Sequence, residues 1–403
     1  MRSTHSPSLE WKAAASANGN TSAGAQARAG TLEACFGLAP TRRKTVVVPP
    51  SRTCGATPPG INVVDLFSGG GGFSEGTRQA GHHVVLAVDN DPVAVETHRK
   101  NHPSTTHARF ELGPETEPRL LKLIDQCVPK GGPWHLHGSP PCQAFSSTRM
   151  CRVARDCTEG MRLVEWFLAL VLRLRPTSWS MEEVTMPCLT DYLYELALSH
   201  PVYFDHVSLN FADFGVPQSR KRTISGTPTL IAPLRDEALR VSPRRHLTEV
   251  VTPPTGATQI RAGWGRRPDA SATIKEADGT YSNPTVWCNC VVSIDRPAGT
   301  VTTSGHPVWL DERFRTVRGC ANEELAAWQT FPSSYRWPDS CANTQRMIGN
   351  SIPPFFVTIL LRPLGGNPTQ NATHYPPPAL YVDRAGAPSW YVRHGNRKRG
   401  RNT

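Results

Sequence analysis

An α/β fold, a parallel sheet covered by helices on both faces, is predicted by three features of the sequence. Strand-like and helix-like segments alternate from residue 61 to about 226. Two of the strand-like runs carry acids at or near their carboxyl ends, beside turn residues. The texture then changes over 228–310, where Pro, Gly, Thr and Arg are frequent and no long helix is evident, which predicts a smaller irregular or β-rich second region.

The elements follow in order. INVVDLF, from Ile61, is a short apolar run suited to a buried strand, and SGGGGFSEGTRQAG after it is a glycine-rich turn opening a helix. HHVVLAVDND is a second strand ending in acids. Pro92 stands where a helix begins, and PVAVETHRKNH is that helix. RLLKLIDQCV is a further helix, WHLHGS a strand, and SPPCQAFSST a loop at its carboxyl end. GMRLVEWFLALVLRLRP is a strong helix stopped at Pro176. TSWSMEEV is a strand, DYLYELALSH a helix, VYFDHVSLN strand-like, NFADFGVPQSRKR a loop and TISG a last strand. Helical pattern returns at ANEELAAWQTF and PPFFVTILL, and no internal repeat is present. The chain therefore divides into a tail (1–60), a main domain (61–227), a second region (228–310), a return to the main domain (311–366) and a second tail (367–403).

Charge separates the tails from the body. The 403 residues hold 44 Lys and Arg against 33 Asp and Glu, a net +11. Residues 1–60 contribute +5 and 393–403 another +5, leaving 61–392 at +1. That excludes a wholly basic coat and predicts a polyanion partner helped by basic arms. Residues 1–60 lack apolar periodicity and are expected to be mostly disordered. The longest apolar runs have seven residues, against the ~20 of a spanning helix, so no membrane partner is expected. With no secretory h-region and an odd count of 11 cysteines, a reduced intracellular compartment is expected. No four-ligand zinc spacing is present, and no metal is expected.

Chemistry concentrates in two loops. In DLFSGGGGFSEG (Asp65–Gly76) a strand runs into glycines and then a helix, which brings backbone amides close to a ligand. Asp89, about 20 residues on, ends the next strand, where an acid can take ribose hydroxyls. Together these features fit a nicotinamide cofactor or S-adenosylmethionine. The second loop separates them. GSPPCQAFSS puts Cys142 at the carboxyl end of the strand-like run WHLHGS, after two stiffening prolines. A free thiol of pKa ~8.5 is a few per cent thiolate at pH 7, and that thiolate is intrinsically a good nucleophile.

At these residues the chain resembles the cytosine-C5 DNA methyltransferases. DLFSGGGGFSEG is similar to their cofactor loop, PPCQAFS to their Pro-Cys-Gln loop, and MEEV (181–184) to their Glu-Asn-Val segment. Gln218, Arg220 and Arg222 match Gln-x-Arg-x-Arg. FRTVRGCANEELAAWQTFP resembles the penultimate motif, and RMIGNSIPP the last. The six stand in the family's order over about 61–225 and 311–361. The resemblance implies a Rossmann-like methyltransferase sheet, S-adenosylmethionine as cofactor, and 228–310 as target-recognition region. It implies Cys142 adding to cytosine C6, Glu182 at the N3 edge, and Arg222, with Arg220 close behind, holding the base O2 and the Glu. For the cofactor it implies Phe67 on the adenine, Asp89 on the ribose, and Glu111 toward the adenine amino group. Asp65, Gly69, Gly70 and Gly72 line the cofactor loop, and Asn350 and Ser351 close the pocket. Phe355 and Phe356 are expected in the core. A monomer acting on double-stranded DNA, with the target base flipped out, is expected.

Two positions depart from the pattern. Phe110-Glu111-Leu112 stands where the family has Gly-Asp-Ile, and Glu183 stands where it has Asn. An ionised carboxylate only accepts hydrogen bonds, where an amide also donates. Either the neighbouring loop is rearranged or turnover is lowered or lost. Three other functions stay open at this point: a tRNA cytosine methyltransferase of the same family, a catalytically inactive DNA- or partner-binding relative, and a nicotinamide-dependent oxidoreductase, against which the Pro-Cys-Gln loop speaks.

Overall fold

The computed structural model describes residues 60–141, 158–268, 274–275, 281–282, 285–305 and 307–366. Both basic tails and the loop carrying Cys142 lie outside the described residues.

Seven strands form the main sheet: β1 (Asn62–Leu66), β2 (His83–Asp89), β3 (Thr106–Arg109), β4 (Trp134–Gly138), β5 (Ser178–Glu183), β6 (Asp205–Asn210) and β7 (Lys221–Gly226). Their order is β3-β2-β1-β4-β5-β7-β6. The first five are parallel, whereas β7 runs antiparallel between β5 and β6. The all-parallel expectation is corrected there. No crossover helix separates β6 from β7, only a 3-10 turn at Phe211–Phe214 and a loop, and a connection that short joins antiparallel neighbours. β3, THAR, is a four-residue edge strand without an apolar run, and pattern reading passes over it.

Helices cover both faces. On one lie α1 (Gly72–Gln79), α2 (Pro92–Asn101) and, from the far end of the chain, α8 (Pro354–Leu361); α3 (Glu117–Cys127), α4 (Thr158–Leu174) and α5 (Pro187–Ser199) lie on the other. The helix predicted to begin at Pro92 does so, and Asp91 caps it, accepting from the Val93 and Ala94 amides. α1 and α8 cross so closely that a Cβ on Gly76 would stand 2.4 Å from that of Val357. Strand alternation sends Val63 and Ile224 into the core beneath α1 and α8, and Leu66, Leu136, Trp179 and Met181 into the core beneath α3–α5. Phe356 is fully buried and Phe355 packs beside that core, as expected. The 24 residues Cys341–Leu364 reach the mean hydropathy of a membrane span, yet they form two helices interrupted at Ser351–Pro353, and two thirds of the window is buried in this fold.

The second region is a four-stranded antiparallel sheet, β11-β8-β12-β13, made of β8 (Gln259–Pro268), β11 (Thr285–Ser293), β12 (Val308–Leu310) and β13 (Thr316–Gly319). Two short strands, β9 (Ile274–Lys275) and β10 (Tyr281–Ser282), pair separately. Its core joins Leu247, Val251, Ile260 and Trp309 to α6 (Asn322–Trp328) and to Ile348 of α7 (Cys341–Asn350). Packing does not break at 228 and 310. Leu230, Ile231 and Leu234 belong to the main core, and the small sheet continues to Gly319.

Candidate active site

β1 ends at Leu66, and the chain turns through left-handed Phe67, Gly69 and Gly71 into α1. The glycines are required by close approach. A Cβ on Gly72 would stand 2.5 Å from the Ile352 carbonyl oxygen and 2.9 Å from the Ser351 Cβ, and one on Gly71 2.5 Å from Tyr335 Oη. Ser351, from the last motif, is thereby packed against the glycine loop, and Met347 lies on Gly70. Gly69 differs: a Cβ there would meet open space, so this backbone faces outward.

Asp89, at the end of β2, organises the loop edge. Its Oδ2 accepts from the Gly69 amide at 2.8 Å and its Oδ1 from the Asp91 amide at 2.9 Å. Burial raises its pKa. Each carboxylate oxygen keeps capacity for a second donor. Glu111 lies two residues beyond β3, exposed, next to Phe110, whose amide donates to the Asp89 carbonyl. Phe67 is half-buried, edge-on to Trp166. Asn350, the last residue of α7, is exposed beside buried Ser351.

Asp65 is turned inward. It is 1% exposed, its Oδ2 accepts from Ser74 Oγ at 2.6 Å, and burial pushes its pKa up to about 7. Ser74 Oγ in turn lies 2.9 Å from His98 Nε2, and His98 Nδ1 2.8 Å from His107 Nε2. Asp65 thus anchors the loop from below, where the sequence placed it in the cofactor-lining group.

The second half of the site sits on β5 and β7. Arg222 Nε stands 2.8 Å from Glu182 Oε1, with both side chains largely buried. Glu182 pairs with Ile224 across the ladder and Glu183 with Thr223, so the adjacent acids lie on opposite faces of the sheet. Glu183 is 1% exposed. Its Oε2 accepts from the Val184 amide at 3.0 Å, while its Oε1 is buried with no hydrogen-bond partner among the described residues. Burial first, then the Glu182 charge, holds its pKa well above the usual carboxylate range. Arg220 is engaged by backbone carbonyls from far along the chain. Its Nη1 and Nη2 donate to the carbonyls of Val301 and Gly349, which ties β7 to the last motif. Gln218 is similarly committed, accepting from the Val301 amide and donating to Gln329. β4, which leads into Pro140, Pro141 and Cys142, lies between β1 and β5. The carboxyl ends of β1, β2, β4 and β5 therefore bring the glycine loop, Asp89, Glu182 and the approach to Cys142 to one edge of the sheet.

One residue the sequence reading did not name is Tyr335, whose hydroxyl donates to the Gly70 carbonyl at 2.5 Å. Its signal was weak, a lone Tyr in the irregular SSYRWP segment.

The model of the C-5 cytosine-specific DNA methylases matches residues 61–227. Type II methyltransferase M.HgiGI of Herpetosiphon aurantiacus is 35% identical over 127 residues, 31% of this chain and 90% of that protein. M.HgiDI of the same organism is 28% identical over 311 residues, 73% of this chain and 90% of the relative. M.AquIA of Picosynechococcus sp. is 31% identical over 177 residues, 40% of this chain and 68% of the relative. Among solved structures, S. pombe Dnmt2 methyltransferase superposes with a TM-score of 0.47 at 17% identity, covering 75% of this chain and 99% of that one. With two of these relatives above 30% identity and spanned over two thirds or more of their length, the chain belongs to the C-5 cytosine-specific DNA methylase family.

Proposed function

We propose that this protein methylates C5 of cytosine in double-stranded DNA, with S-adenosylmethionine as donor and Cys142 as nucleophile. The observation that carries the reading is Glu182, paired with Arg222 of β7, on β5 beside β4, the strand that runs directly into Pro140-Pro141-Cys142.

The cofactor fits the residues at the β1 and β2 ends. Gly69 presents backbone to open space, Asp89 keeps acceptor capacity for a vicinal diol, and Phe67 and Glu111 stand at the same edge. When bound, S-adenosylmethionine supplies an electrophilic methyl group on a positively charged sulfur. Asn350 and Ser351 close this pocket from the α7 end.

Cytosine C5 is too weak a nucleophile to take a methyl group unaided. Addition of the Cys142 thiolate at C6 moves electron density to C5, and Glu182, held by Arg222, meets the charge developing at N3. After transfer a base removes the C5 proton, the C6–S bond breaks, and the thiolate is restored. The cytosine must leave the stack for this, at a cost of a few kcal/mol. Target reading falls to the small sheet and its loops, where Arg261, Trp264, Arg266 and Arg267 lie on β8, and the basic tails add phosphate contacts.

The test is covalent trapping. In a duplex with 5-fluorocytosine at the target, the C5 proton is absent and elimination stalls. A denaturant-resistant, cofactor-dependent adduct is expected, and it is lost in Cys142→Ser. An adduct with tRNA and none with DNA would transfer the chemistry to RNA. No adduct on either would remove the covalent reading.

A further inference from the structure

Buried parallel strands ordinarily carry apolar side chains. β4 instead turns two histidines, His135 and His137, into the interior, 0% and 1% exposed. β5 opposes them with Ser178 and Ser180, also buried, in register His135↔Ser178 and His137↔Ser180. The four side chains and Ser139 form one continuous chain. Ser178 Oγ lies 2.9 Å from His135 Nδ1, and His135 Nε2 2.9 Å from Ser180 Oγ. Ser180 Oγ lies 2.8 Å from His137 Nδ1, and His137 Nε2 3.0 Å from Ser139 Oγ. Phe73 of α1 is stacked on His137, with centroids 3.4 Å apart and planes 4° from parallel. Burial holds both imidazoles neutral at ordinary pH: His135 falls to about 3 and His137 well below its usual value. A neutral imidazole has one donor and one acceptor, so every link depends on the next.

The chain's end is its informative part. The last backbone rung between β4 and β5 is Gly138↔Met181. Ser139 lies one residue beyond, and its amide donates to Leu66 on the β1 side at 3.3 Å. Pro140 and Pro141 follow, and neither has an N–H with which to continue a ladder. Toward β5, among the described residues, the side-chain link through His137 is the last hydrogen-bonded tie before residue 142. Its other end, Ser180, shares a strand and a face with Glu182, two residues on.

We propose that His137 and Ser139 are positioning residues for methyl transfer, with the Ser180–His137–Ser139 chain fixing the start of the nucleophile loop relative to Glu182. This rests on Cys142 being the nucleophile.

The experiment measures single-turnover adduct formation on the 5-fluorocytosine duplex at saturating DNA and cofactor, with KM for each and the melting temperature. Ser139→Ala removes the terminal hydroxyl alone. It is expected to slow adduct formation about tenfold, the scale of a sub-ångström misplacement, with both KM values and melting nearly unchanged. His137→Leu should slow it to a similar degree, and Ser139→Ala/His137→Leu no further than either alone, because the two act through one chain. His137→Gln, which can offer one donor and one acceptor, should recover part of the rate. Adduct formation by Ser139→Ala at the wild-type rate overturns the proposal while leaving Cys142 in its role, and so does a double variant whose losses multiply. A wild-type protein that forms no adduct, or forms one that survives Cys142→Ser, overturns the nucleophile assignment and this proposal with it.

Discussion

The two faces of β5 handle the same side chain in opposite ways. On the face beneath α1 and α8, Glu182 meets Arg222 at 2.8 Å, and the strands below carry histidines, serines and Asp65 in hydrogen-bonded chains. On the face beneath α4 and α5, Glu183 lies beside an apolar core of Trp179, Met181 and Phe167, with one oxygen on a backbone amide and the other unpartnered among the described residues. Arg222 pairs with Glu182 and stands on that side of the sheet. An isolated buried carboxylate is far more costly than a neutral acid. Burial on its side of the sheet therefore holds Glu183 toward the neutral acid, while Glu182 has the guanidinium of Arg222 beside it.

The largest effect expected from this contrast is on turnover. Glu182→Gln keeps the shape and removes the charge and the exchangeable proton. It should lower kcat by about 10²-fold or more, the usual scale for an acid–base group. Near-wild-type turnover would break the assignment of N3 activation to this face. Arg222→Ala should cost less in turnover and more in stability. It strands Glu182 without its cation, at about 3 kcal/mol for a largely buried pair, which denaturant unfolding would measure. Unchanged stability would mean that the pair is solvated in solution.

The polar face should also set the acid limit. His98, His102, His135 and His137 have pKa values lowered by burial, His102 to about 4 and His135 to about 3. Groups depressed in the folded state contribute stability that is present above the unfolded value, about 6.5, and lost as pH falls through the folded one. Asp65, raised to about 7, acts oppositely: its contribution is full below about 4 and lost as pH rises through 7. Four imidazoles outweigh it, so the melting temperature should fall steadily as pH is lowered from 6.5 to 4. In Asp65→Asn the fall should begin from a higher stability at pH 8, because no acid is then forced to ionise in the core. A flat melting profile across that range would show that the histidines are solvated.

Much of this site was legible in the sequence because its signals are local. A glycine run after an apolar strand, an acid ending the next strand and Pro-Pro-Cys after a third each occupy one segment, and parallel topology brings their ends together. What escaped depends on pairing across strands. His135 and His137 alternate correctly for one face, and so do Ser178 and Ser180, yet only the register turns them into a chain. Sequence puts Arg220 close behind Arg222 as a site residue, and the Arg220 contacts to the carbonyls of residues 301 and 349, far along the chain, carry no local signal. Asp65 stands in the glycine-loop motif, yet Ser74, at the start of α1, donates to it from below. The antiparallel turn of β7 was available in principle, since no crossover helix intervenes; apolar runs alone carry no direction.

The smallest expected effect is the sharpest test of the contrast. Glu183 occupies the position where an amide would both donate and accept. As a neutral acid it can do the same, with Oε2 accepting from Val184 and Oε1 carrying the proton. Glu183→Gln should therefore leave turnover within about twofold, since it replaces one neutral donor–acceptor by another of the same size. Infrared difference spectra between the wild type and Glu183→Gln at neutral pH should show the carbonyl stretch of a protonated carboxyl, lost in the variant. Linkage gives a second arm. A carboxyl raised in the folded state contributes stability that is full below its unfolded pKa and lost as pH rises through the folded one. The melting temperature of Glu183→Gln relative to wild type should accordingly rise with pH above about 4.5, the ordinary value of the group. If the protonated band is missing and the variant loses turnover as severely as Glu182→Gln, then Glu183 is charged and working, and the two faces of β5 are not divided as argued.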